Sequence, residues 1–192
     1  MTEFSIGEQP TVERYSAVAC SLHWLVLLLL IVQFALAWTM PAVHRGTHPE
    51  TLINLHLSFG LLILALVLLR VLWRLVRTPP PPPADLPIWQ HALSRLVHWA
   101  LYALLVAIPV LGWINASWRG WRIMFFWLFD LPHLVADDTA PLQGPLSGAW
   151  TGDLHALLAT WVLLPLVGLH VLAVVYHVVI RRDDILARML PG

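Results

Sequence analysis

The charges in this chain leave four long apolar gaps, and these constrain the fold more than any other feature. Between Arg14 and Arg45 lie thirty residues without Asp, Glu, Lys or Arg, and residues 51–69, 96–118 and 154–180 are uncharged too. About 20 apolar residues in a helix cross a hydrocarbon core of about 30 Å. The sequence therefore predicts an all-α integral membrane protein, an up-and-down bundle of four helices spanning about residues 17–40, 51–76, 90–116 and 152–180. The first stretch is too long for a signal peptide and lacks a small-x-small cleavage site. With 59% hydrophobic and 11% charged residues, residues 1–192 read as one membrane domain, since no connection is long enough to hold a soluble core.

The connections set the ends of the spans. Residues 78–83 hold five consecutive prolines, which cannot continue a helix and form a stiff extended linker. The outer loop, residues 119–151, begins within an aromatic stretch, Trp118 just before it and Trp121, Phe125, Phe126, Trp127 and Phe129 inside it. Residues 123–129 are too few to span, so a short amphipathic helix flat in the interface is expected between spans three and four. Its tryptophans are either an aromatic belt or a lid over a cofactor.

Four spans place both termini and the polyproline linker on one side. Arg14, Arg70, Arg74, Arg77, Arg95, Arg181, Arg182 and Arg188 lie there, against Arg45, Arg119 and Arg122 on the other. The positive-inside rule then puts both termini in the cytoplasm. The outer segments carry five carboxylates (Glu50, Asp130, Asp137, Asp138 and Asp153) against three arginines. Attraction of an anion to that face therefore rests on local placement, with Arg119 and Arg122 as the candidates. Eleven basic residues balance eleven acidic ones, which argues against a nucleic-acid partner. The single cysteine, Cys20, excludes an internal disulfide, a cysteine-based zinc or iron–sulfur site and covalent c-type haem attachment.

Ionisable side chains inside spans are costly and point to function. Span one carries His23, span two His56, span three His98, and span four His155, His170 and His177. Because chain direction alternates, His56 and His155 fall at one membrane level. His23 and His170 fall at another, about 13 and 16 Å from the flanking arginines at 1.5 Å per residue. Two imidazoles facing each other across a bundle suit bis-His ligation of a non-covalent haem. Zinc would need a third ligand, which only His98 offers, and only at the His23 level. Gly60, Gly112 and Gly168 line a porphyrin slot or serve as helix-packing contacts. His155 and His170 lie fifteen residues apart, so a straight α-helix leaves them about 60° out of phase. Pro165, between them, removes the hydrogen bond to the Trp161 carbonyl, and a kink or π-bulge there is expected to restore their alignment.

An ordered set of segments carries a family resemblance. Ser21-Leu22-His23-Trp24 opens span one and Leu52-Ile53-Asn54-Leu55-His56 opens span two. Leu69-Arg70, Arg74 and Thr78-Pro79-Pro80 follow, then Gly168-Leu169-His170 and the tail Asp184-Ile185-Leu186-Ala187-Arg188-Met189-Leu190-Pro191. In these the chain resembles the bacterial cytochrome b561 family, in particular its short four-helix, di-haem members related to superoxide oxidase. The resemblance covers nearly the whole chain and weakens through residues 119–150.

The resemblance implies two non-covalent haem b groups, one on His23 and His170 and one on His56 and His155. His98 and His177 would be contacts to haem or plain packing. It further implies a bacterial inner-membrane oxidoreductase that takes electrons from a small donor such as superoxide and reduces ubiquinone. His98, Arg70 and Arg95 are then candidates for the quinone side. The alternative is a cytochrome b electron-transfer subunit of a hydrogenase, a formate dehydrogenase or a similar membrane redox complex, which would co-purify with a redox partner subunit. A histidine-lined proton or metal carrier, the third possibility, would be colourless.

Overall fold

The computed structural model describes residues 14–44, 46–81, 86–135 and 148–190. Arg45, residues 82–83 of the polyproline linker, and Asp137 and Asp138 of the outer loop lie outside them. Four helices are long and apolar enough to cross a membrane, and their most apolar stretches have mean hydropathies between 1.9 and 2.5.

Each helix ends where its sequence stops supporting one. Helix α1 (Ala17–Thr39) starts at Ser16, whose hydroxyl accepts from the Ala19 N–H at 3.3 Å, and stops at extended Met40 before Pro41. Helix α2 (Thr51–Val76) ends at Arg77, which is extended ahead of the proline run. Helix α3 (Ile88–Trp118) follows Pro87 and carries Pro109 within it. It closes through Gly120, in the left-handed region at φ +65°, with the Trp121 N–H returning to the Ala116 carbonyl at 3.1 Å. That 6→1 bond satisfies a carbonyl the helix end leaves open, and glycine takes the required φ without steric cost.

The fourth span is not one uniform helix. It runs as α-helix over Gly148–Leu157, π-helix over Leu158–Leu163, α-helix over Leu164–Tyr176 and π-helix over His177–Arg181. The first π segment lies directly before Pro165, where the sequence calls for one.

Close backbone packing joins α1 to α2, α2 to α3, and α3 to the fourth span, which stands off from α1 and α2. The buried core follows that order, with Val26, Leu29 and Leu30 of α1 against Ile63 and Val67 of α2, then Tyr102 and Ile108 of α3, then Leu163. Large apolar side chains such as Leu28, Leu75, Trp161 and Leu172 are exposed on the outside, as on a bundle surrounded by lipid.

The aromatic run corrects an expectation. In place of an interfacial helix over residues 123–129, strands β1 (Met124–Phe125) and β2 (Phe129–Asp130) pair as an antiparallel hairpin. Phe126 and Trp127 both have positive φ, 46° and 60°, and the Leu128 N–H closes the turn on the Phe125 carbonyl at 2.9 Å. Two positive φ values in succession make a type I′ turn, whose twist suits a hairpin. The turn is held from outside, because buried Ser58 on α2 accepts from the Phe126 N–H at 2.9 Å and donates to the Met124 carbonyl at 3.1 Å. Ser58→Ala leaves both backbone groups unpaired and is expected to cost about 1–3 kcal/mol. The measurement is a lowered melting temperature for the purified protein in detergent.

Candidate functional site

The histidines of the fourth span meet those of α1 and α2 in two pairs. Towards the end opposite the termini, the His56 and His155 rings are 6.1 Å apart at 75°. Towards the termini, His23 and His170 are 6.3 Å apart, also at 75°. The pairing expected from depth is thus the pairing in space. His98 of α3 joins the second level, 5.2 Å from His170. No three His, Cys, Asp or Glu side chains among the described residues form a metal-ion set.

Hydrogen bonds define which ring nitrogen faces the gap. His155 Nδ1 lies 2.8 Å from the Ile108 carbonyl and His98 Nδ1 lies 2.6 Å from the Ser94 carbonyl. A carbonyl only accepts, so each Nδ1 carries the proton and each Nε2 keeps a lone pair. Gly112 makes the first of these contacts possible, since a Cβ there would sit 3.1 Å from the His155 ring. Gly60 likewise leaves space for Gln33, which donates to the His56 carbonyl at 3.0 Å with its Nε2 3.2 Å from His56 Nε2. At Gly168 an added Cβ would meet nothing within 4 Å, so packing does not explain that glycine.

A cavity of about 1010 Å³ contains His56 and His155 and is lined mainly by apolar side chains of all four spans. The side chains of Gln33, His56 and Trp118 line it, and Gln33 Oε1, His56 Nδ1 and Trp118 Nε1 are buried without a hydrogen-bond partner among the described residues. Such atoms are rare in folded proteins unless a bound group satisfies them. Sequence reasoning does not single out Gln33, and it takes Trp118 only as part of the aromatic run read as a belt or a lid. Gln33 is the one amide within α1, which is the available signal, whereas Trp118 is one tryptophan among eleven.

The candidate arginines separate clearly. Arg119 lines the cavity and is held in place, with Nε donating to Asn115 at 3.0 Å, a terminal nitrogen donating to the His44 carbonyl at 3.1 Å, and its guanidinium 5.3 Å from the Trp121 ring. Burial lowers it from the ordinary guanidinium value. Arg122 instead donates twice to the Asp130 carboxylate, at 2.8 and 2.9 Å, on the exposed hairpin. At the termini end, Arg70 donates to the Tyr102 hydroxyl at 3.0 Å and to the Ala19 carbonyl at 3.3 Å. Arg95 is exposed on α3. His177 belongs to neither pair, since its Nδ1 lies 2.6 Å from the Asp183 carboxylate. Of the aromatic run, Trp118 and Trp121 line the cavity, whereas Trp127 and Phe129 are exposed on the hairpin.

The profile of the prokaryotic cytochrome b561 family matches residues 14–192. The chain is 35% identical over 182 residues to "Cytochrome b561 homolog 2" of Escherichia coli (strain K12), covering 94% of this chain and 93% of that protein. It is 32% identical over 184 residues to "Probable superoxide oxidase CybB" of Yersinia pestis, covering 93% and 97%. Identity to "Cytochrome b561 homolog 1" of Escherichia coli (strain K12) is 26% over 188 residues, covering 93% and 97%.

The hydrogen bonds from Arg122 hold the Asp130 carboxyl below its ordinary value, and the Arg122 guanidinium is raised in return. The pair therefore persists at neutral pH and is lost only as pH falls through the depressed Asp130 value. Carboxyl-carbon NMR is expected to give Asp130 a midpoint below the usual aspartate value of about 3.9, and Arg122→Gln should return it there.

Proposed function

The chain belongs to the prokaryotic cytochrome b561 family, and from that premise we propose a di-haem b oxidoreductase that carries electrons from superoxide to quinone. Membership implies haem b and a redox role for a multi-pass bacterial membrane protein. The proposal adds the number of haems, their ligands and the substrates.

The observation that carries it is the presence of two histidine pairs of matching geometry at two depths. His23 with His170 and His56 with His155, their ring centres 6.3 and 6.1 Å apart, would each hold one haem iron through their imidazoles. The unpartnered polar atoms around the His56/His155 cavity also fit a group that brings hydrogen-bonding atoms into an apolar slot. Haem b held in this way supplies a one-electron carrier inside the bilayer, its potential set by axial ligands, burial and nearby charge.

The chain's own residues supply the rest. The bond from His155 Nδ1–H to the Ile108 carbonyl fixes the ring and raises the basicity of Nε2. Arg70, anchored by Tyr102, places a positive charge beside the His23/His170 level, which favours an added electron there. Arg119 offers a positive contact for an anionic donor at the outer cavity, while Arg122 is largely neutralised by Asp130. Quinone reduction consumes protons. We place it at the termini end, where His98 stands outside the histidine pair, with Arg70 and Arg95 at the same end. The relative described as a probable superoxide oxidase supports this choice of donor.

The test is a redox-titrated visible spectrum with haem-to-protein stoichiometry. The wild type is expected to hold two haems per chain. His56→Ala and His155→Ala should each lose one haem, and His23→Ala and His170→Ala should each lose the other. Loss of both from one single replacement in a folded protein would refute the pairing. Wild-type protein in vesicles should then consume superoxide while reducing quinone, and holoprotein that does neither would overturn the substrate assignment.

A further inference from the structure

A second cavity, of about 530 Å³, lies at the termini end between the start of α1 and the end of α2, away from the outer cavity. Arg14, Arg70, Arg74 and Arg77 line it, and none of its described lining residues is Asp or Glu. Four guanidiniums around one opening, with no carboxylate among the described lining residues, repel each other unless an anion joins them. Arg70 is already bonded to Tyr102 and Ala19. The Arg74 guanidinium lies 5.9 Å from the Trp99 and Tyr102 rings, and that of Arg77 lies 5.9 Å from Trp73. Ring contacts hold these cations in place and leave their N–H donors available.

Position then selects the anion. Ser16 caps α1 and Arg77 ends α2, so the cavity lies where the apolar helices stop, at head-group depth. The Trp73 indole donates to the Ser16 hydroxyl at 3.0 Å across its mouth. Close to the lining residues in sequence, Val18, Leu72 and Val76 are exposed apolar side chains, suited to acyl chains running up the bundle. We propose that this cavity binds the phosphate of an anionic membrane phospholipid. Basic pockets between helices on the cytoplasmic side suit such head groups, and a positive cluster on the termini side puts the site in that leaflet.

The experiment is native mass spectrometry of the haem-loaded protein in detergent, supplied with equal amounts of short-chain phosphatidylglycerol and phosphatidylcholine. Wild type is expected to retain one phosphatidylglycerol in preference to phosphatidylcholine. In the double variant Arg74→Gln, Arg77→Gln that preference should fall by about tenfold or more, at about a tenfold change in affinity per 1.4 kcal/mol. The variant Arg74→Lys, Arg77→Lys keeps both charges and should retain most of the preference, which separates lost charge from lost fold. Equal retention of the two lipids by wild type would overturn the proposal. Displacement of phosphatidylglycerol by millimolar inorganic phosphate would reassign the cavity to free phosphate. A parallel loss of haem absorbance in the glutamine variant would show that the cavity serves the cofactor.

Discussion

Lipid is as apolar as leucine, so no hydrophobic force presses one membrane helix onto another, and helices associate through packing and the few polar contacts they can make. Among the described residues the fourth span packs its backbone closely on α3 and not on α1 or α2. Towards α1 and α2 it presents imidazoles, which pair edge-on with those of His23 and His56. That stand-off determines the cavity, the two levels and the separation within each pair. Had the fourth span packed as closely on α1 and α2 as α1 does on α2, the histidines would have no gap to face.

Much of this is legible in the sequence because the bilayer simplifies the problem. Uncharged length gives the spans, and helix rise with alternating direction gives the depth of each histidine. The unusual stretch before Pro165 can also be anticipated, because proline removes a specific hydrogen bond. Residues 123–129 are not legible in this way, because their conformation depends on Ser58, 68 residues from Phe126. A seven-residue aromatic run does not encode two successive positive φ values, and a remote hydroxyl is needed to hold them. The same limit applies to charge. Arg119 and Arg122 look equivalent in sequence, yet one is built into the cavity by Asn115 and His44 while the other is taken up by Asp130.

The two ends of the bundle handle charge differently. At the end opposite the termini, the exposed arginine beside the hairpin has a carboxylate partner and the arginine near the cavity is anchored by backbone and amide groups. At the termini end, the C-terminal segment folds back, with the Trp24 indole donating to the Met189 carbonyl at 2.8 Å and Arg188 donating to the Pro81 carbonyl at 2.6 Å. There Asp183 gathers His177, Arg181 and the Ile185 N–H. Burial alone would raise its carboxyl, but these hydrogen bonds outweigh it and hold the group below the ordinary range. Its contribution is present above the ordinary carboxylate range and fades as pH falls through its own depressed value. Carboxylate pairing thus closes the end of the fourth span, while the described lining of the cavity beside the α2 arginines offers them no acidic partner.

The π segment over Leu158–Leu163 has a consequence for the length of the fourth span. A π-bulge takes up about one extra residue within a helical turn. The fifteen-residue interval between His155 and His170 therefore behaves like fourteen, which is two heptads. Residues two heptads apart stay on one seam of a helical bundle. The wide turn is in these terms an accommodated insertion that keeps both histidines on the same seam. The chain is one residue longer than an ideal helix would need, and the surplus is confined to the turn beside the proline.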